Sequence, residues 1–321
     1  MKRHEQAPDA PAPLARLGHS GGVWYPSGMH VVGIVSAGAM GSALGARLRD
    51  GGAHVVVALA GRSERTRRLA ANVGLEDVGS LESLVREADA VLSVLPPGAA
   101  VDVAAEIAAC AGSARPLVVD LNAVGPTVVL RIAAVLASAG IDAVDGSISG
   151  PPPRTRGTTR IYLSGARAPE AAALPLEGVD RVVVSDVVGA ASAVKMCTAS
   201  VYKGRVAVLT QALRAAHAHG VLEPVLGDLA ETGAADPERA GATVGRASAK
   251  AWRYVAEMEE IAATQAAAGL TPGLFRAFAT VYAELAHRAV ASAPEDVPDD
   301  IALETVLDLL SARQVQTEAP R

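Results

Sequence analysis

The sequence predicts an α/β fold, a Rossmann-type doubly wound parallel sheet followed by an all-helical domain. Short β-branched runs alternate with helical stretches from residue 30 to about residue 186. Several of these runs are apolar on both faces, as expected for parallel strands that are covered by helices on each side. After residue 186 such runs stop and long helical stretches follow. Alternation of this kind is typical of doubly wound α/β domains.

The predicted elements follow in order along the chain. The strand candidates are HVVGIVS, HVVVALA, AVLSVL, PLVVDLN, IDAVDGSIS, RIYLSG and RVVVSD. Two long helices close at Gly220 and Gly269, as helices often end at glycine. A third begins with Thr271 as N-cap and Pro272 as first helical residue, and the last runs to about Ala312.

Three regions are predicted. Residues 1–28 carry proline, glycine and charge without periodicity or the apolar core of a signal peptide, so we expect a disordered extension and a cytoplasmic protein. Residues 29–186 form the predicted nucleotide-binding domain, and residues 187–321 form a helical domain for substrate binding and dimerisation. A chain of 321 residues is long enough for two cores.

Composition excludes several classes of function. Aromatic residues make up 3% of the chain, so alanine, valine and leucine must build the core. A net charge of −5 argues against a nucleic-acid surface and an anionic membrane surface. No run reaches the roughly 18 to 20 apolar residues that cross a bilayer. Cys110 and Cys197 lack the spacing of a metal site, so we expect two buried free thiols and no metal.

The stretch GIVSAGAMGSALG (residues 33–45) is predicted to bind a dinucleotide, because a strand runs through it into a helix. Gly38 would let the backbone approach a pyrophosphate and Gly41 would let the helix pack on the strand. Ser36 stands where the first glycine of G-x-G-x-x-G belongs, and its hydroxyl would either cap the helix or reach a phosphate. The predicted contacts with the cofactor are Ser36, Gly38, Ala39, Met40 and Gly41.

The end of the second strand favours NADP over NAD. About 20 residues after Gly41 the chain reads AGRSER, where NAD-binding proteins place an acidic residue against the ribose. The guanidinium of Arg62 can bind a 2′-phosphate in a bidentate way, and Ser63 can add a hydrogen bond. The alternative is a solvated basic turn.

Several further motifs occur in a specific order: Met40-Gly41, VLSVLPPGAAVDVA, VVDLNAVGP (residues 118–126) and VDGSISGPPP (residues 144–153). With them, the chain resembles the 6-phosphogluconate dehydrogenase-like, β-hydroxyacid dehydrogenase superfamily from Met29 to about Leu310. The stretch AKAWRYVAEMEEIAATQAAAG is similar to an uncharacterised helical domain of one branch. The resemblance implies that Leu95, Pro96 and Pro97 lie over the cofactor ribose, where the alternative is a simple strand end.

The resemblance also implies a catalytic lysine on the interdomain helix, in a pattern like G-x-x-x-x-x-K-x-x-x-N, and GAASAVKMCTAS places Lys195 there. Alcohol oxidation requires removal of a proton, and desolvation can lower the pKa of a lysine towards the working range. The alternative is a lysine that reaches solvent from the helix surface. The asparagine of the pattern is Ala199, so we expect Thr198 or Tyr202 to replace it. Lys203 is either a second cation or a solvated charge.

Four further substrate contacts and one more catalytic residue are implied. By the resemblance, the Ser149-Gly150 peptide binds the substrate carboxylate, and Asn122 lies near nicotinamide and substrate and is assigned a catalytic role. The alternative for Asn122 is a turn residue. Arg160 is a candidate anion clamp or a solvated arginine. Trp252 either lines a substrate pocket or is buried in the helical core.

The predicted function is an NADP-dependent oxidoreductase that transfers a hydride between the nicotinamide and a small β-hydroxy acid or its keto form, with Lys195 as proton shuttle. One alternative is an imine reductase of the same superfamily, against which Lys195 counts. Another is a non-catalytic NADP-binding protein, for which Ser36 and Ala199 leave room. The resemblance implies a homodimer in which helices of one subunit complete the other's site, and a small anionic substrate.

Overall fold

The computed structural model describes residues 30–311, so the predicted disorder of residues 1–28 lies outside it. Eight strands form one sheet in the order β3-β2-β1-β4-β5-β6-β7-β8. They are β1 (Val31–Val35), β2 (His54–Val57), β3 (Glu76–Asp77), β4 (Ala90–Ser93), β5 (Leu117–Asp120), β6 (Ala143–Ser149), β7 (Arg160–Ser164) and β8 (Asp180–Ser185). The order reverses between β1 and β4, which is the switch point where doubly wound sheets bind ligands.

Helices cover both faces of this sheet. They are α1 (Ala39–Asp50), α2 (Glu64–Asn72), α3 (Leu81–Glu87), α4 (Ala100–Cys110), α5 (Pro126–Ser138) and α6 (Ala168–Ala172). Two apolar clusters lie against the two faces, one around Leu44 and Leu48 of α1 and the other around Ile132 and Leu136 of α5. The predicted α/β fold is thereby confirmed.

One pair of strands departs from the predicted parallel sheet. All neighbouring strands are parallel except β6 and β7, which run antiparallel with Ser149 opposite Arg160. The connection from Ser149 to Arg160 contains no helix, and a parallel pair requires a longer crossover. The short loop therefore turns the chain back on itself at this end of the sheet.

The rest of the described chain is helical: α7 (Ala190–Ala218), α8 (Leu222–Glu231), α9 (Pro237–Ala267), α10 (Gly273–Ala286) and α11 (Leu303–Ser311), with short 3-10 turns at Pro97–Ala99 and Pro294–Asp296. α8 was not predicted. The predicted start of α10 is wrong by one residue, because Pro272 is the N-cap and Thr271 Oγ1 accepts a hydrogen bond from the Gly273 N–H. A third apolar cluster joins α7, α9, α10 and α11 around Met258, Ile261 and Tyr282.

The expectation of two buried thiols is wrong for Cys197. Both cysteines are free, but Cys110 is half-buried and Cys197 is exposed on α7. The residue lies on the outer side of that helix, whereas Met196 and Ala199 beside it are buried in the helical core. Within residues 30–311, no helix is long and apolar enough to cross a membrane.

Candidate active site

The nucleotide loop occupies the turn between β1 and α1. Ser36 has a φ of 74°, in the left-handed region that side-chain-bearing residues rarely adopt. A Cβ at Gly41 would lie 2.3 Å from the Ser36 carbonyl oxygen, so this close helix–strand contact requires glycine. The N-cap of α1 is Gly38, with no side-chain hydrogen bond, and the expectation that Ser36 caps the helix is therefore wrong.

This loop fits a dinucleotide phosphate. A Cβ at Gly38 would meet nothing within 4 Å, so the loop has an open side at the helix N-terminus. The first turn of α1 carries no acidic residue. Free N–H groups and the positive end of the helix dipole favour an anion at such a position.

Arg62 and Ser63 lie in the turn that follows β2 at the same edge of the sheet. Ser63 is the N-cap of α2, and its Oγ accepts a hydrogen bond from the Thr66 N–H at 3.3 Å. The Arg62 carbonyl accepts a hydrogen bond from Arg67 Nε at 3.2 Å, while the Arg62 guanidinium has no ion pair within residues 30–311. The arginine is half-buried, and the hydroxyl of Ser63 already serves the helix.

Asn122 is buried at the carboxyl ends of β4 and β5. Its Nδ2 donates to Ser93 Oγ at 3.0 Å and to Asp120 Oδ2 at 2.7 Å, and its Oδ1 accepts from the Leu95 N–H. The side chain is only 2% exposed, and these contacts occupy both Nδ2 hydrogens and one lone pair of Oδ1. Burial raises the pKa of Asp120 to about 7, while hydrogen bonds from Asn122 oppose that rise.

The loop after β4 is held in place by these contacts. Leu95 is fixed through its N–H, and Pro97 opens the 3-10 turn Pro97–Ala99 that leads into α4. α9 packs against this turn. The helical part of the chain therefore borders the predicted position of the cofactor.

Lys195 lies on α7, five residues from the start of the helix. Its Nζ donates a hydrogen bond to the Ile148 carbonyl at 2.6 Å, which places the ammonium beside the Ser149-Gly150 peptide. The residue is half-buried, and burial, with a smaller effect from the charge of Arg253, lowers the pKa of Lys195. The alternative of a lysine that simply reaches solvent from the helix surface is wrong.

Asp145 fixes the start of α7 against the sheet. This fully buried carboxylate on β6 accepts hydrogen bonds from the N–H groups of Gly189 and Ser192, and from the hydroxyls of Ser164 and Ser192, at 2.7–3.0 Å. The sequence reasoning missed it. An acidic residue inside the apolar strand AVDGSIS was the signal available.

The predicted carboxylate-binding residues share one side of β6 and β7. Side chains alternate along a strand, so Ser149 and Arg160 lie on the same face as Asp145, the face against which α7 packs. Gly150 has a φ of 113°, and a Cβ there would lie 2.3 Å from the Thr158 carbonyl oxygen. Arg160 is exposed and pairs with Asp180 at 3.4 Å. Lys195, Ser149, Gly150 and Arg160 are thus brought to one end of β6.

The predicted substitutes for the missing asparagine differ in availability. Ala199 is buried in the helical core, and Thr198 Oγ1 donates back to the Val194 carbonyl of its own helix at 2.9 Å. Tyr202 is half exposed and borders a cleft between α7 and α9.

Lys203 is not a solvated charge, so that alternative is wrong. It is 2% exposed and forms an ion pair with Glu257 of α9. Its Nζ lies 4.7 Å from the centroid of the Tyr254 ring, and Arg253 Nε lies 3.2 Å from Glu257. Burial lowers the pKa of Lys203 to about 7, and nearby Lys195 adds to that effect.

Trp252 is 68% exposed, so its predicted burial in the helical core is wrong. The next turn of α9 carries Tyr254 and Glu257 inward, and Trp252 consequently points away from them. Trp252 does not line the cleft between α7 and α9 either, so the structure of one chain places it in no substrate pocket.

That cleft has a volume of about 110 Å³. Its lining residues are Tyr202, Lys203, Val206, Thr243, Arg246, Ala247, Lys250 and Tyr254. The polar α9 members, Thr243, Arg246, Lys250 and Tyr254, recur at intervals of three and four residues, which is the spacing of one helix face. That periodicity of polar side chains was visible in the sequence and was not used.

Glu260 of α9 was also missed. Its Oε2 accepts a hydrogen bond from the Gly125 N–H at 2.7 Å, three residues after Asn122. This contact joins the helical part of the chain to the β5–α5 loop. A glutamate in the run EMEE on a helix gives no sequence signal for a partner 135 positions away.

Comparisons with known proteins agree with this architecture. The NAD-binding domain of 6-phosphogluconate dehydrogenase matches residues 31–176, and a domain of unknown function, DUF1932, matches residues 216–285. The conserved protein MTH1747 of unknown function, reported to resemble 3-hydroxyacid dehydrogenases, is 30% identical over 79% of this chain and 96% of its own, with a TM-score of 0.63.

Two more solved structures are similar. A conserved hypothetical protein from Sinorhizobium meliloti 1021 is 25% identical over 91% of this chain and 99% of its own, with a TM-score of 0.66. A 3-hydroxyisobutyrate dehydrogenase from Mycobacterium tuberculosis shares the fold at 20% identity, over 88% of this chain and all of its own, with a TM-score of 0.63. The chain therefore belongs, as its motifs predicted, to the 6-phosphogluconate dehydrogenase-like, β-hydroxyacid dehydrogenase superfamily of NAD(P)-dependent oxidoreductases.

Proposed function

We propose that the protein is an NADP-dependent oxidoreductase that transfers a hydride between the nicotinamide and a small β-hydroxy acid or its keto form. The observation that carries this proposal is the position of Lys195, whose Nζ contacts the Ile148 carbonyl beside the Ser149-Gly150 peptide. A proton-transferring amine and a backbone suited to a carboxylate thus lie together at the carboxyl end of a strand.

The cofactor would lie along the turn from Ser36 to Gly41 and continue under Leu95, Pro96 and Pro97. Hydride exchange is the chemistry that NADP supplies when bound. The open side of Gly38 supports a pyrophosphate at this turn, and Arg62 without an ion pair in the described chain supports a 2′-phosphate over the two free hydroxyls of NAD.

Residues of the chain would carry out the proton transfer and the binding of the substrate. In the oxidation direction Lys195, as the neutral amine, takes the hydroxyl proton, and in reduction its ammonium returns that proton. The N–H groups at Ser149 and Gly150 would bind the substrate carboxylate, and Arg160 would add a positive charge. Asn122 is a positioning residue rather than a catalytic one in this proposal, because its amide already holds the ends of β4 and β5.

Assembly as a homodimer is part of the same proposal, with the helical half, residues 187–321, supplying the contact. Its support is a set of large apolar side chains exposed on the helices: Val201, Tyr202, Val208, Trp252 and Leu274. Isolated exposed apolar residues are ordinary, but several on neighbouring helices mark an interaction surface. A cytoplasmic location is proposed with it. Sedimentation of a monomer at micromolar concentration would overturn the dimer.

The experiment that tests the function is a fluorescence titration of the full chain with NADPH and NADH. Arg62→Ala should weaken NADPH binding by about 1.5–3 kcal/mol, roughly 10- to 150-fold, and leave NADH nearly unchanged. Arg68→Ala, on the exposed face of α2, is the matched control and should change neither. If the wild type binds neither NADPH nor NADH, the proposal is wrong.

The proton shuttle is tested separately. Lys195→Met should bind NADPH like the wild type and lose NADP-dependent oxidation of 3-hydroxyisobutyrate or whichever β-hydroxy acid the wild type oxidises in a screen. A variant that retains full turnover would remove Lys195 from the reaction while leaving the nucleotide site in place.

A further inference from the structure

Three basic side chains line the cleft between α7 and α9. Lys203, Arg246 and Lys250 all border its volume of about 110 Å³, together with Tyr202, Thr243 and Tyr254. Like charges at such short range repel one another, and burial removes the water that would screen them. A cluster of this kind is stabilised by an anion.

The carboxylates that form ion pairs with the cluster leave Lys250 without an ion pair in the described part of the chain. Glu257 pairs with Lys203, and Asp299, which is 91% exposed, pairs with Arg246. No hydrogen bond or ion pair is formed by Lys250 within residues 30–311, although the side chain is half-buried. Burial and the charges of Arg253 and Arg246 lower the pKa of Lys250, and the carboxylate of Glu295 opposes that shift without forming an ion pair with the lysine.

The cleft and Lys195 lie along the same helix, α7. Lys203 lies eight residues beyond Lys195, or about 12 Å along α7, and the two lysines interact electrostatically. Val206 and Ala247 add apolar walls between the polar groups. A molecule that reacts beside Lys195 could therefore extend into the cleft through an aliphatic chain.

We propose that the substrate carries a second anionic group, a carboxylate or a phosphate, at the end remote from the reacting carbon, and that the cleft between α7 and α9 binds it. This inference rests on the proposed function and names its substrate class. Lys250 supplies the unpaired charge of this subsite, Arg246 adds donors, and Lys203, which pairs with Glu257, completes its basic lining.

The first test is calorimetric titration of the full chain with inorganic phosphate in saturating NADP⁺, which keeps phosphate out of the nucleotide loop. Wild type should bind phosphate saturably, Lys250→Gln should bind it at least about tenfold more weakly, and Lys250→Arg should recover binding. Arg239→Gln, an exposed position on α9, is the matched control. Absence of binding to wild type, or equal binding to Lys250→Gln and wild type, would overturn the subsite.

The second test asks whether the cleft binds the remote end of a substrate or only a free anion. 3-Oxosebacate and 3-oxodecanoate have the same chain length, and only the first carries a second carboxylate, at the end remote from the keto group. We expect 3-oxosebacate to displace phosphate from the wild-type protein and 3-oxodecanoate to leave it bound. Phosphate bound in the presence of both acids would overturn the assignment to substrate.

These outcomes are distinct from those of the nucleotide titration. A chain that binds NADPH and no phosphate retains the proposed function and loses the subsite. A chain that binds phosphate through Lys250, in a titration without nucleotide, but binds neither NADPH nor NADH loses the proposed function.

Discussion

Lys195 donates a hydrogen bond from Nζ to the backbone carbonyl of Ile148, at 2.6 Å. The acceptor belongs to the main chain of β6, next to the start of the Ser149-Gly150 peptide. The position of the amine is consequently set by the sheet itself, and no side-chain substitution on β6 removes the acceptor.

The charge of Arg253 should tune this amine. Burial first, and then Arg253, lower the pKa of Lys195 below its ordinary value of 10.5. In Arg253→Gln only the effect of burial remains, so the pKa of Lys195 should rise, and oxidation, which needs the neutral amine, should require a higher pH. Arg253→Lys keeps the charge and should keep the pH profile.

The chain has four lysines, so ¹³Cε labelling and a pH titration by NMR can follow Lys195 directly. Lys195→Met assigns its signal. An identical titration midpoint in wild type, Arg253→Gln and Arg253→Lys would contradict this electrostatic effect.

The raised pKa of Asp120 predicts that the stability of the folded chain depends on pH. Burial raises its pKa to about 7 in the folded chain, from an ordinary value of 3.8. The folded state therefore binds more protons than the unfolded state between these values, and the contribution of Asp120 to stability falls as pH rises through that window. Asp120→Asn cannot ionise, so its free energy of unfolding relative to wild type should increase from pH 5 to pH 8. Urea denaturation at both pH values measures it, with exposed Asp102→Asn as control; a constant difference would refute it.

The two glycines of the nucleotide loop should behave differently when they are replaced. In Gly41→Ala the new methyl would lie 2.3 Å from the Ser36 carbonyl oxygen, so the chain should lose about 1–3 kcal/mol of stability. In Gly38→Ala the methyl meets nothing within 4 Å, so stability should change by less than about 1 kcal/mol.

The open side of Gly38 is where we place the pyrophosphate, so Gly38→Ala should nonetheless weaken NADPH binding. Urea denaturation and nucleotide titration of the two variants measure both effects. Equal loss of stability in the pair, or unchanged NADPH affinity in Gly38→Ala, would be inconsistent with this geometry.

Asp145 should be among the most sensitive positions for folding. Asp145→Asn removes a buried charge that accepts four hydrogen bonds, and it should cost about 2–4 kcal/mol of unfolding free energy. Ser192→Ala removes a single one of these donors and should cost about 1 kcal/mol. Denaturation by urea ranks the two variants, and a milder effect of Asp145→Asn than of Ser192→Ala would disprove the role.

Much of the fold could be predicted because local periodicity determines it. Strands that are apolar on both faces, glycines at helix ends and the loop from Ser36 to Gly41 all depend on near neighbours in the chain. The direction of β7 was not predicted, although the ten residues between Ser149 and Arg160 are too few for the helical crossover of a parallel pair.

The site could be predicted only in part for a similar reason. Lys195 and Gly150 belong to local motifs, whereas the partners of Asp145, Lys203 and Glu260 lie on other elements. Trp252 shows the opposite error, because a tryptophan on a helix suggests burial and the surrounding fold leaves it 68% exposed.

The carboxylate of Asp145 also couples the unfolding of the sheet to the unfolding of the helical region that begins with α7. The first turn of α7 cannot unravel without leaving a buried charge in the sheet unsatisfied, and the sheet cannot open at β6 without releasing the helix. The chain should therefore melt as one cooperative unit, with calorimetric and van't Hoff enthalpies that agree, rather than as two independently denaturing modules.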